Sequence, residues 1–97
     1  MKRIIAIDDN VTNLKMVERV LKDKYKLVLV KSGEKALSYL ENNLVDLILL
    51  DIVMPEMNGF EVFECIKKLD NNNNSTPVVF LTADTEVGSE VNSRYWW

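Results

Sequence analysis

The stretch Leu47 to Pro55, LILLDIVMP, limits what this chain can fold into more than any other. Four consecutive apolar residues, Leu47 to Leu50, are too few for a helix and read as a strand buried on both faces. Such a strand belongs in a parallel sheet with helices on each side. The run stops at Asp51, and Met54 and Pro55 mark the strand exit, because a proline biases its predecessor away from helix. Asp51 therefore stands at the carboxyl end of a central strand, the edge at which open α/β sheets bind ligands.

The rest of the chain supplies the elements such a sheet needs. Arg3 to Ile7, RIIAI, reads as a strand running straight into Asp8, Asp9 and Asn10. From about Thr12 to Asp23, Leu14, Val17 and Leu21 recur at helical spacing, flanked by Met16 and Val20, while Lys15, Glu18, Arg19 and Lys22 take the other face. Lys26 to Val30 reads as a further strand. Ser32 and Gly33 then open a helix that carries Ala36, Leu37 and Leu40 inward and ends at Asn42 and Asn43. After the central strand, Asn58 and Gly59 suit a helix start, with Val62, Phe63, Ile66 and Leu69 as its apolar stripe. Asp70 to Ser75, DNNNNS, reads as a polar loop that tolerates insertion, and Pro77 opens a last strand, Val78 to Leu81, ending at Thr82. This alternation calls for parallel strands joined by right-handed crossovers.

Composition narrows the chemistry. The 97 residues make one small domain, and 47% hydrophobic with 28% charged residues is ordinary for a globular protein. A net charge of -3 without a basic patch argues against direct nucleic-acid binding. No apolar run approaches a membrane span, and MKRIIAIDD meets two aspartates too soon for a signal peptide, so the expected location is the cytoplasm. Cys65 is the one cysteine and reads as a packed or half-buried residue; with no histidine in the chain, zinc sites and histidine acid/base catalysis are excluded.

Three strands end in polar residues: Asp8 and Asp9, Asp51, and Thr82. In a parallel sheet these ends lie together. Carboxylates a few ångströms apart repel by about 4 kcal/mol per pair at an effective dielectric near 20, so the cluster needs protons or a cation. An all-oxygen, solvent-facing set suits Mg²⁺ better than zinc or copper. An aspartate beside Mg²⁺ can act as a nucleophile towards a phosphoryl group, and the Thr82 hydroxyl can bond a phosphoryl oxygen.

IDDN at the first strand, LLDIVMPEMNGFEV around the third and FLTAD at the fourth resemble the receiver domain of bacterial two-component response regulators, over roughly residues 2 to 91. The resemblance implies a flavodoxin-like, doubly wound parallel sheet with strand order 2-1-3-4. It implies that Asp51 is the phosphoacceptor, Asp9 a metal ligand with Asp8 its acidic neighbour, Val53 the residue whose backbone carbonyl completes the Mg²⁺ site, and Thr82 the switch hydroxyl. It further implies a sensor histidine kinase as phosphodonor and an output domain or downstream protein outside this chain.

The resemblance ends before the family's fifth strand, with its lysine, and last helix. Residues 1–91 thus read as a receiver domain lacking its C-terminal part, with Thr85 to Asn92 able to begin a fourth helix, and residues 92–97 as an atypical tail. The fourth strand is then expected to present an unpaired edge, to pair edge to edge or exchange elements in a homodimer, and to have Trp96 and Trp97 cover apolar surface. Phosphotransfer without the lysine is expected to be slow or absent. Two further readings stay open. One is a receiver-like binding module or fragment that accepts no phosphate. The other is a phosphatase of the haloacid dehalogenase type, with Asp8 as nucleophile in the frame Asp8, Asn10, Thr12; the site of modification by a small phosphodonor separates it from the receiver.

Overall fold

A computed structural model describes residues 1–82, apart from the Thr82 side chain, and the backbone of Arg94–Trp96. The described chain runs β1 (Arg3–Ile7), α1 (Val11–Leu21), β2 (Lys26–Val30), α2 (Gly33–Asn42), β3 (Leu47–Asp51), α3 (Gly59–Lys67), a 3₁₀ turn (Asn72–Ser75), β4 (Val78–Thr82) and β5 (Arg94–Trp96). The strands form one sheet in the order β2-β1-β3-β4-β5, and the first four are mutually parallel. The expected 2-1-3-4 order and flavodoxin-like winding are present.

Alternation along the strands builds the core. Ile5 and Ile7 of β1, Ile48 and Leu50 of β3, and Val78 and Phe80 of β4 point to one face, where they meet Ala36 and Leu40 of α2 and Val62 and Ile66 of α3. Phe80 sits between the Phe60 and Phe63 rings, at centroid distances of 5.3 and 5.4 Å. Ile4 and Ala6 point to the opposite face, and α1, which packs on β1 and β2, buries Leu14. The central strand is less enclosed than its four apolar residues suggest. Ile48 and Leu50 are buried, but Leu47 and Leu49 are only half-buried, because among the described residues α1 alone lies on their side.

Each helix starts where the sequence provides a cap. The Asn10 side chain accepts from the N–H groups of Thr12 and Asn13, Ser32 accepts from Lys35, and Asn58 with Glu61 forms a reciprocal capping box at α3. These contacts satisfy donors that the first turn of a helix leaves without partners.

Two expectations are corrected. The DNNNNS segment is no insertion-tolerant loop: Asn73 is wholly buried, accepting from Val45 N–H at 3.0 Å and donating to the carbonyls of Leu40 and Asn43 at 2.8 and 2.7 Å. Asn71 also donates to Leu40 and Glu41, so this turn satisfies the last carbonyls of α2. The open edge of β4 is likewise absent. β5 pairs with it antiparallel, Phe80 opposite Trp96 and Thr82 opposite Arg94, so the tail of the same chain fills the place expected for a second copy. The homodimer expected through that edge loses its premise. The suggested helix over Thr85 to Asn92, and the tryptophan side chains, lie outside the described residues. No helix among the described residues is long and apolar enough to cross a membrane.

Candidate functional site

The parallel register places the ends of β1 and β3 side by side, with Ile7 opposite Leu50. The next residues, Asp8 and Asp51, therefore emerge together at the carboxyl edge, and Asp9 follows. Oxygen atoms from Asp8, Asp9 and Asp51 lie within 4.8 Å of one another. Asp8 and Asp51 are buried, at 4% and 7% exposure, whereas Asp9 faces solvent.

Asp8 is the most constrained of the three. One carboxylate oxygen accepts the Asn10 N–H at 2.9 Å and the other accepts Asn13 Nδ2 at 3.0 Å. Its own backbone N–H continues the ladder to Val30 O at 3.1 Å. Asn13 is absent from the residues singled out in the sequence; the available signal was its place in the first turn of a helix whose cap directly follows the acidic pair.

Asp51 has its carboxyl pushed from an ordinary 3.8 up to about 7. Burial is the largest cause, followed by the negative charge of Asp8; the charge of Asp9 and a hydrogen bond with the Asp8 carboxyl add to it, and the Val53 N–H bonding the carboxylate opposes it. The Val53 side chain itself is 78% exposed, so only its backbone reaches the site.

The loop after β3 is held closely. The Gly59 N–H bonds Ile52 O at 2.8 Å, and a Cβ on Gly59 would meet the Asp51 carbonyl oxygen and lie 2.8 Å from Ile52 Cα. Only a glycine lets the start of α3 pass this close to the backbone of Asp51. Thr82 closes β4 one residue beyond the Asp51–Leu81 pair, on the same edge of the sheet.

The donor set fits a hard divalent cation. All three side chains offer oxygen, and the buried pair is electrostatically unfavourable without a proton or a positive charge between its members. A groove lined by Lys31 to Glu34, Met54 to Met57 and Glu61 contains none of the three aspartates.

Known proteins resemble this chain in sequence and fold. The family model for the response regulator receiver domain matches residues 4–93. The "Probable cyclic di-GMP phosphodiesterase" of Vibrio cholerae is 38% identical over 93 residues, covering 91% of this chain and 21% of that protein. The signal transduction histidine-protein kinase BarA of Escherichia coli is 38% identical over 88 residues, covering 90% of this chain and 10% of the kinase. The chain thus spans about a fifth or less of these two relatives. Among solved structures, the chemotaxis protein CheY4 of Vibrio cholerae superimposes with a TM-score of 0.83 at 28% identity, over all of this chain and 85% of that one. The receiver domain of the sensor histidine kinase PA1611 of Pseudomonas aeruginosa, solved with a magnesium ion coordinated in its active-site cleft, gives a TM-score of 0.80 at 28% identity over 94% of this chain and 75% of that one. With the model matching nearly its whole length and the acidic strand ends converging at one edge of the sheet, the chain belongs to the response regulator receiver domain family.

Proposed function

We propose that Asp51 is the phosphoacceptor of this receiver and that Asp8, Asp9 and the Val53 backbone carbonyl, together with Asp51, hold Mg²⁺. The observation that carries this reading is the convergence of Asp8, Asp9 and Asp51 within 4.8 Å from the ends of two adjacent strands. Bound there, Mg²⁺ supplies positive charge that offsets the clustered carboxylates and the incoming phosphoryl oxygens.

The chain's own residues do the rest. A carboxylate oxygen of Asp51 attacks phosphorus, the phosphorus–nitrogen bond of a kinase phosphohistidine breaks, and the departing imidazole nitrogen takes up a proton. The Val53 N–H holds the Asp51 carboxylate, and Asn10 and Asn13 keep Asp8 beside it. Thr82, at the end of β4, takes the part of the switch hydroxyl in this reading.

In this reading the chain acts on no external substrate beyond its own phosphotransfer and dephosphorylation. Its donor is a sensor histidine kinase in the cytoplasm, and its output lies in another domain or protein. Residues 1–91 form the receiver unit, and residues 92–97 are an appended tail that contributes β5.

Intact-protein mass spectrometry after incubation with Mg²⁺ and acetyl phosphate tests the assignment. A slowly accumulating phosphoryl adduct is expected on the wild-type chain and none on Asp51→Asn. Folded wild-type protein that acquires no adduct would replace this reading with that of a non-phosphorylated binding module, and an adduct on Asp8 would point to the phosphatase.

A further inference from the structure

We propose that Asn13 is a positioning residue that fixes Asp8 for Mg²⁺ and thereby sets the site's preference for Mg²⁺ over the larger Ca²⁺, an inference that rests on the metal-site reading above. Asp8 is buried beside Asp51 and near Asp9, and with all three ionised their mutual repulsion acts to push its carboxylate away. Asn13 Nδ2 resists that movement from 3.0 Å without adding charge.

The second restraint on Asp8, the Asn10 N–H at 2.9 Å, comes from the connecting loop itself. Asn13 instead belongs to α1, and its backbone is secured by the Asn10 cap at 3.3 Å. A side chain on a capped helix carries less positional freedom than one on a loop. Each Asp8 oxygen spends one lone-pair direction on its donor and keeps another free for a cation. Asn13 thus leaves Asp8 able to ligate while restricting where its oxygens lie.

That restriction matters unequally for different cations. Mg²⁺ demands near-ideal octahedral geometry at short range, whereas Ca²⁺ accepts longer and more variable contacts. Partners that orient a ligand typically contribute about 10- to 100-fold to metal affinity. Loosening Asp8 should therefore cost Mg²⁺ binding more than Ca²⁺ binding. A simple tether between α1 and β1 would act otherwise, lowering stability and weakening both cations alike.

Calorimetric titration of the whole chain with Mg²⁺ and with Ca²⁺, paired with thermal unfolding in EDTA, separates the two roles. Asn13→Ala is expected to weaken Mg²⁺ about tenfold and Ca²⁺ at most about threefold, with little change in the metal-free unfolding temperature. Equal weakening of both cations, or unchanged binding with a lowered unfolding temperature, would overturn the proposal. Asn13→Ser is too short to reach Asp8 but compatible with a first helical turn, and it carries the same comparison if the alanine variant does not fold. Wild-type protein that binds neither cation would overturn the metal-site reading itself, whereas wild-type binding with an unaltered cation ratio in both variants would overturn the role of Asn13 alone.

Discussion

Asp51 combines burial with a negative neighbour, and the consequence is a pH dependence of definite sign. Its carboxyl titrates at about 7 in the folded chain against 3.8 ordinarily, so between those values the folded state holds a proton that the unfolded chain has lost. The stability linked to Asp51 is fully present below 3.8 and falls as pH rises towards 7. Without divalent ions, Asp51→Asn is therefore expected to stabilise the protein at pH above 7, by about 1–2 kcal/mol, with the gain vanishing near pH 4. The gain is smaller than the shift alone would give because the new amide also has to find partners. Urea unfolding of both proteins across this pH range checks the expectation, and an equal gain at both ends would contradict it. Asp51 was legible in the sequence because an abrupt carboxylate after an apolar run is a local pattern. Asn13 was not, because its value comes from a contact between the start of a helix and the end of a strand.

At the scale of elements, the polar segment after α3 shows how composition misleads. Asparagine-rich stretches usually face water, yet Asn73 is wholly buried and bridges the end of α2 to the start of β3. Thr76 reinforces the junction by donating to Val45 O at 3.2 Å. Asn73→Ala would leave the Val45 N–H without its acceptor and the Asn43 carbonyl without its donor, while the Leu40 carbonyl keeps the Asn71 amide. Each buried group left unsatisfied costs about 1–3 kcal/mol, so a loss of about 3 kcal/mol is expected in chemical denaturation. A loss under 0.5 kcal/mol, the range of about that size typical of surface changes, would show that water replaces the amide readily. Nothing in DNNNNS by itself distinguishes a clasp from a loose turn. The carbonyls it satisfies belong to a helix about thirty residues earlier in the chain, and only long-range packing brings the two together.

For the whole molecule, the pairing of β5 with β4 changes what the sheet presents to its surroundings. An uncovered edge would offer a row of free N–H and C=O groups to any other strand, and here Arg94–Trp96 take that position in the same chain. Deleting residues 94–97 is expected to lower stability by about 1–3 kcal/mol, through lost ladder bonds, and to promote concentration-dependent association. Sedimentation velocity and thermal unfolding of the shortened chain test this; unchanged association and stability would mean that β5 contributes neither cover nor cohesion.

The local content of the sequence determined the order of strands and helices, their approximate limits, and the acidic residues at the strand ends. These depend on periodicity, capping and chain breaks within a few residues of each other. Tertiary structure alone decided that Asp8 is held by Asn13, that Asn73 closes the end of α2, and that the tail completes the sheet antiparallel to β4. Hydrogen bonds of this kind join groups that the chain separates. Their partners are chosen by burial and register, which exist only once the sheet has formed.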